Sequence, residues 1–129
     1  MTASTVLAEY TLNGVTMTFS PGPAGALIVA INFEGSATGF GPVFGTMYAA
    51  SAGQKAGTYD WCGATFPSEG EGLVGRSQGT FSSIGANRWA TRGPMTFSDG
   101  RAVIIEGVVD LATRSWNGKI LAAGGQAQG

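Results

Sequence analysis

The dipeptide Asp99-Gly100 stands between two alternating runs, residues 89–97 and 102–110, and it constrains this chain more than any other feature. Aspartate-glycine in that setting is the strongest short-range hairpin signal, because a type I′ turn needs positive φ at both central residues. A two-residue loop sets a register in which Phe97 faces Ala102, Met95 faces Ile104, Gly93 faces Glu106 and Trp89 faces Asp110. Opposed residues share a face. Phe97, Met95, Trp89, Ile104, Val108, Glu106 and Asp110 are therefore expected on an inner wall. Arg88, Arg92, Thr96, Ser98 and Arg101 go outside.

Similar punctuation runs along the rest of the chain. Asn13-Gly14 predicts a first hairpin between residues 4–12 and 15–20, with Ala8, Tyr10 and Leu12 opposite Phe19, Met17 and Val15 on the inner face. Pro21-Gly22-Pro23-Ala24-Gly25 is a turn that no ladder continues through. Residues 26–33 are apolar at nearly every position, which predicts a strand buried on both sides. Residues 39–50 carry Phe40, Phe44, Met47 and Tyr48, and Pro42 predicts a kinked or edge segment there.

Residues 57–66 and 72–83 form the next hairpin. A five-residue loop sets Trp61 against Ser77, Gly63 against Gly75 and Tyr59 against Gly79, large against small; a four-residue loop would turn Asp60 and Cys62 inward instead. A three-residue turn at Gly85-Ala86-Asn87 then brings Phe81, Ser77 and Gly75 inside and leaves Arg76 and Gln78 outside. A two-residue turn would bury Arg76 at a heavy desolvation cost. A last strand covers residues 115–122.

No segment holds a helical period. Eight or nine short antiparallel strands at regular spacing predict one all-β domain over residues 1–129, a small up-and-down β-barrel with a flexible tail at residues 122–129. Closing the meander removes exposed strand edges. Eight strands leave room for side chains or one small ligand, and the small residues Gly75, Ser77, Gly79 and Gly93 suggest a central cavity.

Charged residues make up 12% of the chain, against about a quarter in an average soluble domain. That predicts an outer surface partly covered by another subunit. The net charge of -1 offers no electrostatic case for nucleic acid or an anionic membrane. With no histidine and only Cys62, the chain has no Ser-His-Asp triad, Cys-His pair, classical zinc site or internal disulfide. A reducing cytoplasm is the expected location, since residues 1–10 are polar, carry Glu9 and lack a signal-peptide pattern.

Gly72-Leu73-Val74-Gly75-Arg76-Ser77-Gln78-Gly79 resembles the glycine-rich G-R-x-Q-G strand of dirigent proteins. Ser98-Asp99-Gly100, followed by Glu106-Gly107 and Asp110, is similar to the corresponding hairpin of bacterial spirotetronate cyclases. Both belong with allene oxide cyclase in one superfamily of small eight-stranded barrels. The resemblance implies a barrel that binds a flexible apolar molecule and steers its cyclisation or coupling without a cofactor, assembled as a homodimer or homotrimer. The chain is short for that group, and no complete catalytic set maps onto it.

Glu106 is the foremost candidate for chemistry: a carboxylate on an apolar wall has its pKa raised by desolvation, which suits a general acid or base. The bland reading pairs it with an arginine or backbone amides at the rim. Asp110 could share acid and base roles, although a turn-capping role suits its place at a strand end, and Asp60 enters only in the alternative register. Tyr59, Tyr10 and Tyr48 can each donate a hydrogen bond to a developing oxyanion, or simply pack. Trp61, Trp89, Met17, Phe19, Met95, Phe97 and Phe81 would line a pocket or fill a core. No metal site is expected. The leading expectation is a cofactor-independent isomerase, cyclase or lyase acting on a small hydrophobic metabolite of terpenoid or polyketide type. The alternative is a lipocalin-like carrier of a small apolar ligand, and a third class is a structural subunit with a filled barrel.

Overall fold

Most strands of this chain alternate small or apolar residues with polar ones, so they have one face to bury and one to leave in water. A computed structural model of the protein, which describes residues 5–51 and 55–123, resolves that demand by closure. Eight strands follow one another around a closed antiparallel barrel in sequence order. They are β1 (Val6–Pro21), β2 (Leu27–Ala37), β3 (Gly41–Ser51), β4 (Ala56–Thr65), β5 (Leu73–Gly85), β6 (Arg88–Phe97), β7 (Ala102–Asp110) and β8 (Ser115–Ala122). β8 pairs with β1, with Tyr10 opposite Gly118 and Leu12 opposite Trp116. Every strand is thus flanked on both sides. Ser4 and most of the expected tail lie outside the described residues.

The β4–β5 register is the five-residue-loop one, with Tyr59 opposite Gly79, Trp61 opposite Ser77 and Gly63 opposite Gly75. Phe81 faces Thr91 and Ser77 faces Met95, the faces expected of a three-residue turn, but the turn itself is only Ala86-Asn87, and a bulge between Ser83 and Gly85 restores that register. Asp60, Cys62 and Arg76 are accordingly exposed.

Three local expectations are corrected. Asn13-Gly14 is not a turn: β1 runs straight through it, with a bulge between Gly14 and Thr16 that leaves Val15 exposed. Neither Asn13 nor Gly14 takes positive φ, and the Gly14 N–H donates to the Arg114 carbonyl at 2.7 Å. The bulge switches the inward set from Ala8, Tyr10 and Leu12 to Met17 and Phe19, so those residues still share a face. β2 is buried on one face only. Ile31 and Phe33 point in, Asn32 points to solvent, and Ile28 is half-covered by the Gly22–Ala26 turn. Pro42 sits at the exposed start of β3 beside Gly41 (φ 76°), not on an edge.

The largest correction lies at Asp99-Gly100. Only Gly100 takes positive φ (97°), and its N–H donates to the Phe97 carbonyl at 2.9 Å. Phe97 donates to the Arg101 carbonyl, so the loop has three residues and ends on a glycine in the left-handed region. Asp99 stabilises it, accepting from the Arg101 backbone N–H at 3.1 Å and side chain at 3.0 Å. These bonds, the backbone one first, hold the Asp99 carboxyl below its usual range. Met95 now faces Val103, Gly93 faces Ile105 and Arg92 faces Glu106. The one-residue slip exchanges the faces of β7: Val103, Ile105 and Val109 are buried, and Glu106 is exposed. The strand's own alternation explains the outcome, because the expected register would have buried a carboxylate and left three branched aliphatics in water.

Candidate functional site

The middle of the barrel is filled by aromatic rings. Trp116 is 1% exposed and packs edge-on against Tyr10, Tyr59 and Trp61 at 5.5, 5.8 and 5.2 Å between ring centroids. Such contacts add about 0.5–1.5 kcal/mol each to the burial itself. The glycines expected to open a cavity make room for these rings instead. A Cβ on Gly79 would meet the Tyr59 ring at 2.5 Å and one on Gly93 the Tyr59 hydroxyl at 2.9 Å; outside that set, one on Gly63 would meet the Trp61 ring at 2.5 Å. Gly107 and Gly118 lie beneath the Tyr10 hydroxyl in the same way.

A short row of hydroxyls crosses this layer. The Trp116 indole N–H donates to Thr91 Oγ1 at 3.0 Å, and Thr91 in turn donates to the Gly107 carbonyl at 3.2 Å. The Tyr59 hydroxyl lies 3.3 Å from Ser77 Oγ. The Tyr10 hydroxyl has no hydrogen-bond partner among the described residues, since neighbouring Thr91 serves Trp116 and Gly107. Burial, with Tyr59 nearby, pushes the Tyr10 phenol far above its ordinary value, and burial raises Tyr59 too. Both phenols are protonated and neutral at physiological pH.

The filled layer divides the interior. Towards the β2–β3 loop a cavity of about 40 Å³ is bordered by Tyr10, Trp61, Met95 and Phe97. Phe40 closes that end, stacked on Phe97 at 5.2 Å beneath the Arg101 guanidinium. Towards the opposite end lies an open cup of about 250 Å³. This falls just below the ~300–1,000 Å³ common for small-molecule sites. Met17, Phe19, Val29 and Met47 form one side, and Phe81, Trp89, Val109 and Leu111 the other. Thr91 at its inner end and Ser51 supply hydroxyls, and no ionisable side chain lines it among the described residues.

The expected pocket residues therefore divide. Met17, Phe19, Phe81 and Trp89 line the cup. Tyr10, Trp61, Met95 and Phe97 belong to the core and the smaller cavity, and Tyr59 lies 1% exposed in the filled layer. Tyr48 stands 51% exposed on the outer wall opposite Asp60.

The expected acid–base pair is not inside. Glu106 is exposed and ion-paired with Arg92 across the outer face. Asp110 is half-buried and caps the β7–β8 turn, accepting the Ala112 N–H at 2.9 Å. The wall residues missed by sequence reasoning are Leu27, Val29, Ile31, Met47, Ala49, Ser51, Thr91, Val109 and Leu111. The period-two alternation of β2 and β3, read with Phe33 inward, carries the signal for those up to Ser51, and the alternation of Val103, Ile105 and Val109 carries it for Val109. No family model, curated protein or solved structure matches this chain.

Proposed function

We propose that the protein binds a small apolar molecule in the cup between the β1–β2 and β7–β8 turns, as a carrier or store. The observation that supports this reading is a cavity of about 250 Å³, far wider than the one of about 40 Å³ on the other side of the aromatic layer, walled by apolar side chains and free of ionisable ones among the described residues. Such a wall favours apolar surface by about 25 cal/mol per Å² and penalises charged guests. Met17 and Met47 are flexible enough to fit more than one ligand shape. An isomerase, cyclase or lyase acting through Glu106 draws no support from a carboxylate paired to Arg92 outside the wall. Eight-stranded barrels serve carriers and catalysts alike, so the reading rests on the cup and not on the fold.

Titration with the neutral fluorophore N-phenyl-1-naphthylamine tests it, with tryptophan fluorescence as a second signal. The native chain is expected to bind one equivalent saturably. Ala49→Phe, which fills the cup, is expected to weaken binding at least about tenfold while circular dichroism stays native, and Val29→Phe checks the result from the neighbouring strand. Absence of saturable binding, or equal binding by folded filled variants, overturns the proposal.

A further inference from the structure

The charged side chains are sorted along the barrel axis. At the cup end stand Lys55 before β4, Arg88 at the start of β6 and Arg114 in the β7–β8 turn, against Asp110 alone. None of these three cations is in an ion pair among the described residues. Asp110 lies opposite Arg88 across the β6–β7 ladder and accepts the Ala112 N–H, so this end keeps an excess of cations. At the opposite end stand Glu69, Glu71 and Asp99 against Arg101, which is bound to Asp99. The overall charge of -1 conceals this separation. Beside the cations, Phe19 at the cup wall is 60% exposed, and Ile84, next to the β5–β6 turn, is 48% exposed.

We propose that the cup end docks on an anionic lipid surface, across which the apolar ligand enters and leaves. The inference rests on the cup being the ligand site. Three unpaired cations around the cup end are attracted to an anionic headgroup layer within a Debye length, and the acidic far end is repelled. The same field turns the barrel so that its open end faces the lipid. Phe19 then meets the headgroup region with an apolar ring, and a water-insoluble ligand passes between bilayer and cup without crossing bulk water.

Vesicle co-sedimentation of the full chain tests the docking. The vesicles are phosphatidylcholine alone, or phosphatidylcholine with phosphatidylglycerol as about one third of the lipid. Binding to the anionic vesicles alone, weakened by salt, is expected. Lys55→Gln/Arg88→Gln is expected to lower it at least about tenfold, whereas Arg76→Gln/Lys119→Gln, with the same charge change on the barrel wall, retains it. Equal binding to both lipids, or equal loss in both variants, overturns the proposal. Parallel titration with N-phenyl-1-naphthylamine separates the two readings. Intact probe binding without vesicle binding overturns the docking and leaves the cup, and absent probe binding overturns the cup and the docking with it.

Discussion

Replacing Gly79 by alanine measures how tightly the aromatic layer is built. The added Cβ would stand 2.5 Å from Tyr59 Cε2, 2.6 Å from its Cζ and 2.5 Å from the Arg92 carbonyl oxygen. Comfortable carbon contacts begin near ~3.5 Å, so each neighbour must yield by about an ångström. The ring has nowhere to go. It is 1% exposed, edge-on to Trp116, and its hydroxyl lies beside Ser77 and within 2.9 Å of where a Gly93 Cβ would stand. The carbonyl belongs to the ladder and cannot rotate away.

Overpacking costs about 1–3 kcal/mol and this site belongs at the upper end. The backbone gain of alanine over glycine returns about 0.5–1 kcal/mol. A net loss of about 2 kcal/mol follows, out of roughly 6–19 kcal/mol expected for a chain of 129 residues. Urea unfolding followed by tryptophan fluorescence reads that loss as a lower midpoint at constant slope. In a Tyr59→Leu background the alanine should cost about 1 kcal/mol less, because the ring contact is gone and the carbonyl contact remains. A cost below about 0.5 kcal/mol, or one unchanged by Tyr59→Leu, would refute the claim that the glycine exists to seat the ring.

Other outcomes are expected on the same grounds. Glu106→Gln breaks an ion pair whose partners are 51% and 48% exposed, so stability falls by at most about 1 kcal/mol and probe binding is unchanged. Reduced probe binding would return this residue to the site. Tyr10→Phe removes a buried hydroxyl that lacks a partner and should leave stability equal or raise it by about 1 kcal/mol, whereas a loss above that in urea unfolding refutes the assignment. The raised phenols of Tyr10 and Tyr59 give a signed pH dependence. Their contribution is complete below the ordinary value near 10 and is lost as pH rises beyond it, because the unfolded chain ionises first. Denaturation midpoints flat to about pH 10 and falling above it are expected, with a shallower fall in Tyr10→Phe.

Two of the four strand registers expected from the residues are observed. Tyr59 against Gly79 and Trp61 against Ser77 follow from size complementarity, which both strands display side by side. Burying Arg76 would be costly, and that alone selects the β5–β6 register. At Asp99-Gly100 the same two residues suit a two-residue turn and a three-residue loop. Only the alternation of Val103, Ile105 and Val109 against Glu106 distinguishes them. The turn signal resides in two residues and fits both registers, whereas the alternation spans the strand and places Glu106 in solvent.

Composition, turn residues and period-two patterning determined by themselves that this chain is a meander of about eight strands with an aromatic interior. Those are local properties, each carried by a few neighbouring residues. Closure decided the rest. Asn13-Gly14 stays extended because β8 arrives beside it and the Arg114 carbonyl takes the Gly14 N–H, a partner about a hundred positions away in the chain. The cup exists because rings from β1, β4 and β8 meet over glycines of β5, β6 and β7, filling the middle and leaving one end open. No single strand contains that information, since a cavity is a property of the walls that face it.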